Sequence, residues 1–368
     1  MRLRPVTVIL IGCGNIGSQL APLLCRLGGI DYMVVIDPGS YDESNLPTQN
    51  ILPGHVGKPK AEALAAVLRS TNPGLQVLSQ AMPVQEVPVG CLQGTLIVCC
   101  VDNRRARQYI NQIASRIGVP WLDTAVDGDQ QLARIALYVP DKTAPCLECA
   151  WSRDGEYAHL DARYSCLGEV NEPSAATASP TGATAELGAF TAALACMETR
   201  KVLAGDTSLA GQQLFFDARF HRQFQARLPY NENCLFDHGR WQIEGLTQTP
   251  DEMLLSDAFA LASADSNAVA IRQEGQSFVR RLRCVDCGRP GNRLLHLSDR
   301  LQPWQRQCHR CGGRRQAAGF DQEPVLVAAD VSPNWMVKPM SGLGYRRGDV
   351  FSLVDGDRER HFRLGAAF

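Results

Sequence analysis

Net charge is almost absent from this chain: 37 Lys and Arg stand against 38 Asp and Glu, leaving −1 over 368 residues. Such a balance gives no bulk electrostatic case for nucleic acid or for a membrane surface as partner. Also lacking is any apolar run of about 18 residues, which excludes a membrane-spanning helix. No apolar leader with a cleavage site is expected ahead of the first strand, and no internal repeat or low-complexity tract is present. With 45% hydrophobic and 20% charged residues, the composition is that of a globular protein, and the expected location is cytoplasmic. Cysteine, by contrast, is plentiful. Fourteen are present, six of them as three C-x-x-C pairs: Cys146/Cys149, Cys284/Cys287 and Cys308/Cys311. In a reducing compartment such pairs suit metal better than disulfides.

The length admits two domains, or one large domain with appendages. Strand-like runs at 6–11, 32–36, 75–79, 95–101, 119–123 and 132–139 alternate with helical stretches at about 15–27, 58–71 and 104–117. This alternation predicts a Rossmann-like, doubly wound, mostly parallel α/β sheet. A polar stretch over 150–182 reads as a long functional loop. A buried helix is expected from Thr184 to Leu203, followed by a hairpin. Beyond residue 245 the expected order is a helical connector (246–280), a zinc ribbon (281–316) and a small β-rich segment (317–368).

The first strand runs straight into Gly12-Cys13-Gly14-Asn15-Ile16-Gly17 and then a helix. Glycines there let backbone approach a phosphate, and the helix N-terminus offers free N–H groups and a positive dipole end. Asp37, 20 residues after Gly17 at the end of the second strand, is placed to hold ribose hydroxyls. Gly12, Gly14, Asn15, Gly17 and Asp37 therefore indicate a nucleotide. A nicotinamide oxidoreductase would use all of these. It would leave no task for Asn45 and Gln49, for Lys60 at the start of a helix (Lys58 is its rival), or for Asp102-Asn103 at the end of a strand. An enzyme attacking the α-phosphate of ATP needs such a cation and a carboxylate for Mg²⁺.

Taken together, Gly12-x-Gly14-x-x-Gly17, Asp37, Ser44-Asn45-Leu46, Gly57-x-x-Lys60, Val101-Asp102-Asn103 and Pro145-Cys146-x-x-Cys149 resemble the ThiF/MoeB family, the adenylation domains shared with ubiquitin-activating enzymes. Ser165-Cys166 and Met197-Glu198-x-x-Lys201 continue the resemblance, which covers about residues 5–240. It implies an ATP-dependent adenylyltransferase. Gly12 to Gly17 and Asp37 would hold ATP, Asn45 and Lys60 would contact its phosphates, and Asp102 would bind Mg²⁺. The substrate would be the C-terminal glycine of a ubiquitin-like or sulfur-carrier protein. Cys166 would accept the activated acyl group as a thioester; the plain alternative is a loop cysteine. The family also implies a homodimer. Two departures stand out. Pro47-Thr48 occupy the place of a usual arginine, with only Gln49 retained, and the usual arginine-bearing N-terminal helix is missing. Compensating charge would come from Arg104, Arg105, Arg2, Arg4 or a partner chain. A non-catalytic scaffold and a sulfur-carrier or peptide adenylase without a thioester are the rival readings.

Cys284-x-x-Cys287 and Cys308-x-x-Cys311, 20 residues apart, fit a four-cysteine zinc ribbon of structural role. The family places a second cysteine pair near the segment where Cys234 and His238 stand here, making Cys146, Cys149, Cys234 and His238 a second candidate zinc site. Nine arginines flank the ribbon, from Arg280 to Arg315. They suggest a face for nucleic acid or an acidic protein, or simply a solvated basic surface. The C-terminal half is also the expected dock for the modifier or a conjugating-enzyme partner.

Overall fold

A computed structural model describes residues 5–158, 160, 164–165, 168–169, 183–262 and 268–366. The chain divides into two compact units, one holding residues 92–240 with the chain up to 87, the other holding 88–91 and 241 onward.

The first unit is built on β1 (Thr7–Ile11), α1 (Asn15–Leu24), β2 (Tyr32–Ile36), α2 (Lys60–Thr71), β3 (Gln76–Gln80), β4 (Leu96–Cys99), α3 (Arg104–Ile117), β5 (Trp121–Asp127) and β6 (Leu132–Tyr138). Two short strands follow, β7 (Tyr164–Ser165) and β8 (Gly168–Glu169). The unit ends with α4 (Ala185–Leu203), β9 (Gln212–Asp217) and β10 (Arg222–Arg227). The eight-stranded sheet has the order β10-β9-β6-β5-β4-β1-β2-β3. Strands β3, β2, β1, β4 and β5 are parallel, whereas β5, β6, β9 and β10 pair antiparallel. The expected doubly wound sheet is thus present, with an antiparallel half appended. Burial explains the difference between strands. Residues 8–11 of β1 and 33–36 of β2 are wholly buried, as parallel strands covered on both faces require, while all six residues of β10, at the sheet edge, are exposed.

Local signals set the helix ends. Asn103 caps α3 by accepting the Ala106 N–H at 2.8 Å, and Gly118 (φ +70°) closes it. Thr184 caps α4. α1 and α4 pack closely because position 188 is glycine: a Cβ there would collide with Asn15 Oδ1.

The second unit contains β11 (Ile243–Gly245), α5 (Leu255–Ala260), β12 (Ala270–Arg272), β13 (Phe278–Cys284), β14 (Pro290–Leu297), β15 (Arg315–Gln316), β16 (Gln322–Glu323), β17 (Val325–Val327), a four-residue α6 (Pro333–Met336), β18 (Val350–Asp355) and β19 (Arg358–Arg363). One sheet runs β11-β19-β18-β12-β17; a second gathers β14, β13 and β15, with β16 also on β13. Residues 246–280, expected as a connector, instead contribute α5, β12 and the start of β13. Leu255, Phe259, Ile271 and Phe278 join Phe351, Leu353 and Phe362 in a single core. Three-residue strands carry too little periodicity to be read from sequence. Among the described residues, no helix is long and apolar enough to cross a membrane.

Candidate active site and metal centres

The sheet reverses its winding between β1 and β4, so the crevice beyond their C-terminal ends is where ligands bind in such folds. The glycine loop lies there. Gly12 has φ +96°, and a Cβ on it would stand 2.5 Å from the Cys100 carbonyl oxygen. A Cβ on Gly17 would strike the Gly12 carbonyl. Both glycines are therefore required by packing. Gly14 differs, because nothing lies within 4 Å of its Cβ position. It precedes α1 with no side-chain cap, leaving an open, electropositive helix N-terminus.

Asp37 ties β2 to this loop. Its Oδ2 accepts the Cys13 N–H at 2.7 Å and its Oδ1 accepts the Gly39 N–H at 2.8 Å. Burial raises its pKa, opposed by those two hydrogen bonds and by the Lys60 charge, while Asp102 pushes it further up. A carboxylate has about four acceptor positions, so capacity for ribose hydroxyls remains.

Lys60 is the first residue of α2, and its N–H bonds the Gly39 carbonyl at 2.8 Å. Its Nζ stands 3.4 Å from Gln49 Oε1 and 5.3 Å from the centre of the Tyr41 ring. Tyr41 in turn donates to the Cys13 carbonyl at 3.1 Å. Lys60, Gln49, Tyr41 and Asp37 thus converge on the glycine loop. Asp102 is exposed just beyond β4. Asn103 Nδ2 lies 3.5 Å from its Oδ1, while Asn103 Oδ1 is the α3 cap.

Two residues expected as cofactor contacts make hydrogen bonds within the protein. Asn15 donates to the carbonyls of Ala183 and Thr184, both at 3.2 Å, and locks α1 to α4. Asn45 Oδ1 accepts the Asp42 N–H at 3.3 Å, within its own turn. Cys166, Arg2 and Arg4 lie outside the described residues.

Sequence reasoning missed a buried charge cluster beside Asp102. Arg107 Nη1 binds both oxygens of Asp123, at 2.7 and 2.8 Å, and Arg134 Nη2 binds Oδ2 at 2.5 Å. Arg107 Nη2 also donates to the Val101 carbonyl at 2.6 Å, one residue before Asp102. Asp123 is wholly buried. Two guanidiniums on one carboxylate leave a surplus positive charge at the C-terminal end of β4. No local signal in the sequence ties Arg107 on α3 to Asp123 on β5, because the two meet only through helix packing on the sheet.

Cys146, Cys149, Cys234 and His238 place their ligand atoms within 4.8 Å of one another, as do Cys284, Cys287, Cys308 and Cys311. In the first set Cys146 Sγ is 3.8 Å from both Cys149 and Cys234, and Cys149 Sγ is 3.5 Å from His238 Nε2. In the second, Cys284–Cys311 and Cys287–Cys308 are 3.5 and 3.8 Å apart. Thiolates on a tetrahedral zinc with bonds of about 2.3 Å stand about 3.8 Å apart, so both donor sets fit such an ion. The first knuckle is clamped to α3 by Glu148. This buried carboxylate accepts from Gln108, Asn111, Gln112 and Tyr157 at 2.9–3.2 Å.

Fold and site together define a doubly wound α/β protein with an open glycine loop and a Cys₃His donor set. The model of the ThiF family matches residues 1–236, and the chain belongs to that family. The ubiquitin-like modifier-activating enzyme 5 of Oryza sativa subsp. japonica is 29% identical over 164 residues, covering 40% of this chain and 38% of that protein. The enzyme of the same name from Aedes aegypti is 30% identical over 166 residues, covering 40% and 41%. The chain therefore matches only about two fifths of the length of these curated relatives. Among solved structures, E. coli MccB with ATP aligns at TM-score 0.50 and 20% identity, covering 63% of this chain and 66% of that one. MccB with AMPCPP and MccA aligns at TM-score 0.50 and 21% identity, with the same coverage. At these identities the likeness is one of fold.

Proposed function

We propose that this protein is an ATP-dependent activating enzyme that adenylates the C-terminal carboxylate of a ubiquitin-like modifier. One observation carries the reading: Asp37, Lys60 and Gln49 converge on the open α1 N-terminus, with Asp102 at the adjoining strand end. The names of its relatives support the choice of substrate.

The loop N–H groups and Lys60 bind and orient the phosphates, and Asp37 holds the ribose. Asp102 would hold Mg²⁺, which would supply charge neutralisation at the phosphates. The modifier's carboxylate oxygen forms a bond to the α-phosphorus; the bond to the bridging oxygen breaks, and pyrophosphate leaves with the electron pair. Lys60 and the surplus charge of the Arg107–Asp123–Arg134 cluster oppose the negative charge that builds up. In the finer reading Cys166, as thiolate, then attacks the acyl carbon, forming a thioester and releasing AMP. Zinc in both cysteine clusters, a homodimer, a conjugating-enzyme partner and a cytoplasmic location belong to the same proposal.

Pyrophosphate exchange with ATP, Mg²⁺ and candidate modifiers tests it. Exchange that is lost in Asp102→Ala is expected; no exchange with any modifier encoded beside the gene overturns it. A thiol-sensitive adduct on a gel, missing only in Cys166→Ala, supports the thioester step. Exchange with no such adduct favours the second reading, a sulfur carrier or short peptide adenylated without a thioester. That reading draws support from the MccB fold, which has been solved with MccA.

A further inference from the structure

The near-zero net charge conceals a strong local imbalance. Residues 280–315 hold ten arginines against only Asp286 and Asp299. Some of these arginines are already engaged: Arg280 pairs with Glu323, and Arg300 with Asp349. Four others, Arg289, Arg293, Arg310 and Arg315, line a cavity of about 550 Å³ beside the four-cysteine cluster. Among the described residues none of the four makes an ion pair or a side-chain hydrogen bond, and Arg315 Nε is buried without a partner. Among the described residues no acidic one lines the cavity. Four guanidiniums around a concave site exceed the net −2 of a zinc ion held by the four thiolates, and an anion relieves their repulsion.

The rest of the lining narrows the anion. Trp304 stands at the cavity with 64% of its surface exposed, so an aromatic face is free there for a planar group to stack on. Leu282 and Leu294 supply an apolar wall, and Asn292 and Gln305 offer amides able to meet base edges. Cations for phosphates, a π-face for bases and amides for their edges make up a single-strand binding platform. An acidic peptide would use the arginines but not the stacking ring. We infer that this cavity of the second unit binds single-stranded nucleic acid, with Arg289, Arg293, Arg310 and Arg315 on the phosphates and a base stacked on Trp304. The inference is independent of the adenylation proposal, since it involves none of the residues of the first unit.

The test is fluorescence anisotropy of a labelled eight-nucleotide single-stranded RNA titrated with the full chain at several salt concentrations. Binding that weakens with salt is expected. Each phosphate contact on a single strand contributes about 0.7 to the logarithmic salt slope, so the double variant Arg289→Gln/Arg310→Gln should flatten it by about 1.4. Trp304→Ala should weaken binding by roughly tenfold, and Trp304→Phe, which keeps a ring, should retain most of it. Excess ATP with Mg²⁺ should not displace the strand. No binding at low salt, equal affinity in the Trp304 and arginine variants, displacement by ATP, or tighter binding of a polyglutamate peptide than of the RNA would each overturn the inference. The last outcome would reassign the cavity to an acidic protein.

Discussion

Arg107 grips Asp123 through both carboxylate oxygens, at 2.7 and 2.8 Å, from a helix that begins only two residues after Asp102. The pair is buried, with Asp123 wholly so, and the same guanidinium reaches the Val101 carbonyl. The position of the Asp102 backbone thus depends on an ion pair formed by the next strand. Removing one partner of a buried pair leaves the other charge without compensation, at a cost of about 3–5 kcal/mol. Asp123→Ala should therefore lower the urea-unfolding free energy by about that amount. An unchanged midpoint would show that the cluster is not a structural anchor.

The three glycines of the loop should separate under substitution to alanine. Gly12→Ala and Gly17→Ala meet backbone oxygen and should reduce soluble, folded protein. Gly14→Ala meets nothing and should keep the wild-type melting temperature. Its methyl would point into the opening the phosphates are proposed to occupy, weakening ATP binding by roughly tenfold, equivalent to about one charged hydrogen bond. Calorimetry with ATP and Mg²⁺ distinguishes the three; a Gly14→Ala protein that binds ATP normally would argue against a phosphate there.

Metal content gives a third check. Purified protein should carry two zinc ions per chain, one for each donor set. Cys308→Ser and Cys234→Ser should each leave about one, measured by elemental analysis. Because metal binding stabilises only the folded state, chelation should lower the melting temperature. Two zinc ions in Cys234→Ser would remove that residue from the ligand set.

Acid should destabilise the second unit through His296. Burial lowers its pKa below the ordinary 6.5, helped by the charges of Arg300 and Arg306 and opposed by its hydrogen bond to Leu297. The folded protein therefore holds this ring neutral, while the unfolded chain takes up a proton as pH falls below about 6.5. Stability from this group is complete above 6.5 and is lost on acidification below it. Melting temperatures at pH 7.5 and 5.5 should show a smaller drop in His296→Gln than in the parent; equal drops would rule His296 out as a source.

The parts of the site legible in the sequence are those made locally. The β1–loop–α1 unit could be read because strand, glycines and helix are contiguous, and Lys60 because Gly57 and Pro59 mark the start of α2. The four-cysteine cluster was legible from spacing alone, since a knuckle needs two ligands three residues apart. The Glu148 clamp was not legible. Its donors Gln108, Asn111 and Gln112 look like an ordinary polar helix face until α3 meets the Cys146–Cys149 turn. Asn15 shows the converse. Its place in the glycine motif suggests a ligand contact, yet packing against Gly188 of α4 turns its amide toward the Ala183 and Thr184 carbonyls.

By itself the sequence determined the glycine loop, the winding of the parallel half-sheet and the paired cysteines of the 284–311 cluster. These depend on hydrophobic period, glycine geometry and ligand spacing, which act over a few residues. Only the tertiary structure decided which charges meet. Asp123 gained Arg107 and Arg134 through strand pairing and helix packing, while Arg289, Arg293, Arg310 and Arg315 came together around Trp304 without an acid among them. Charge pairing depends on distances across the fold, and a net charge of −1 says nothing about where each sign collects.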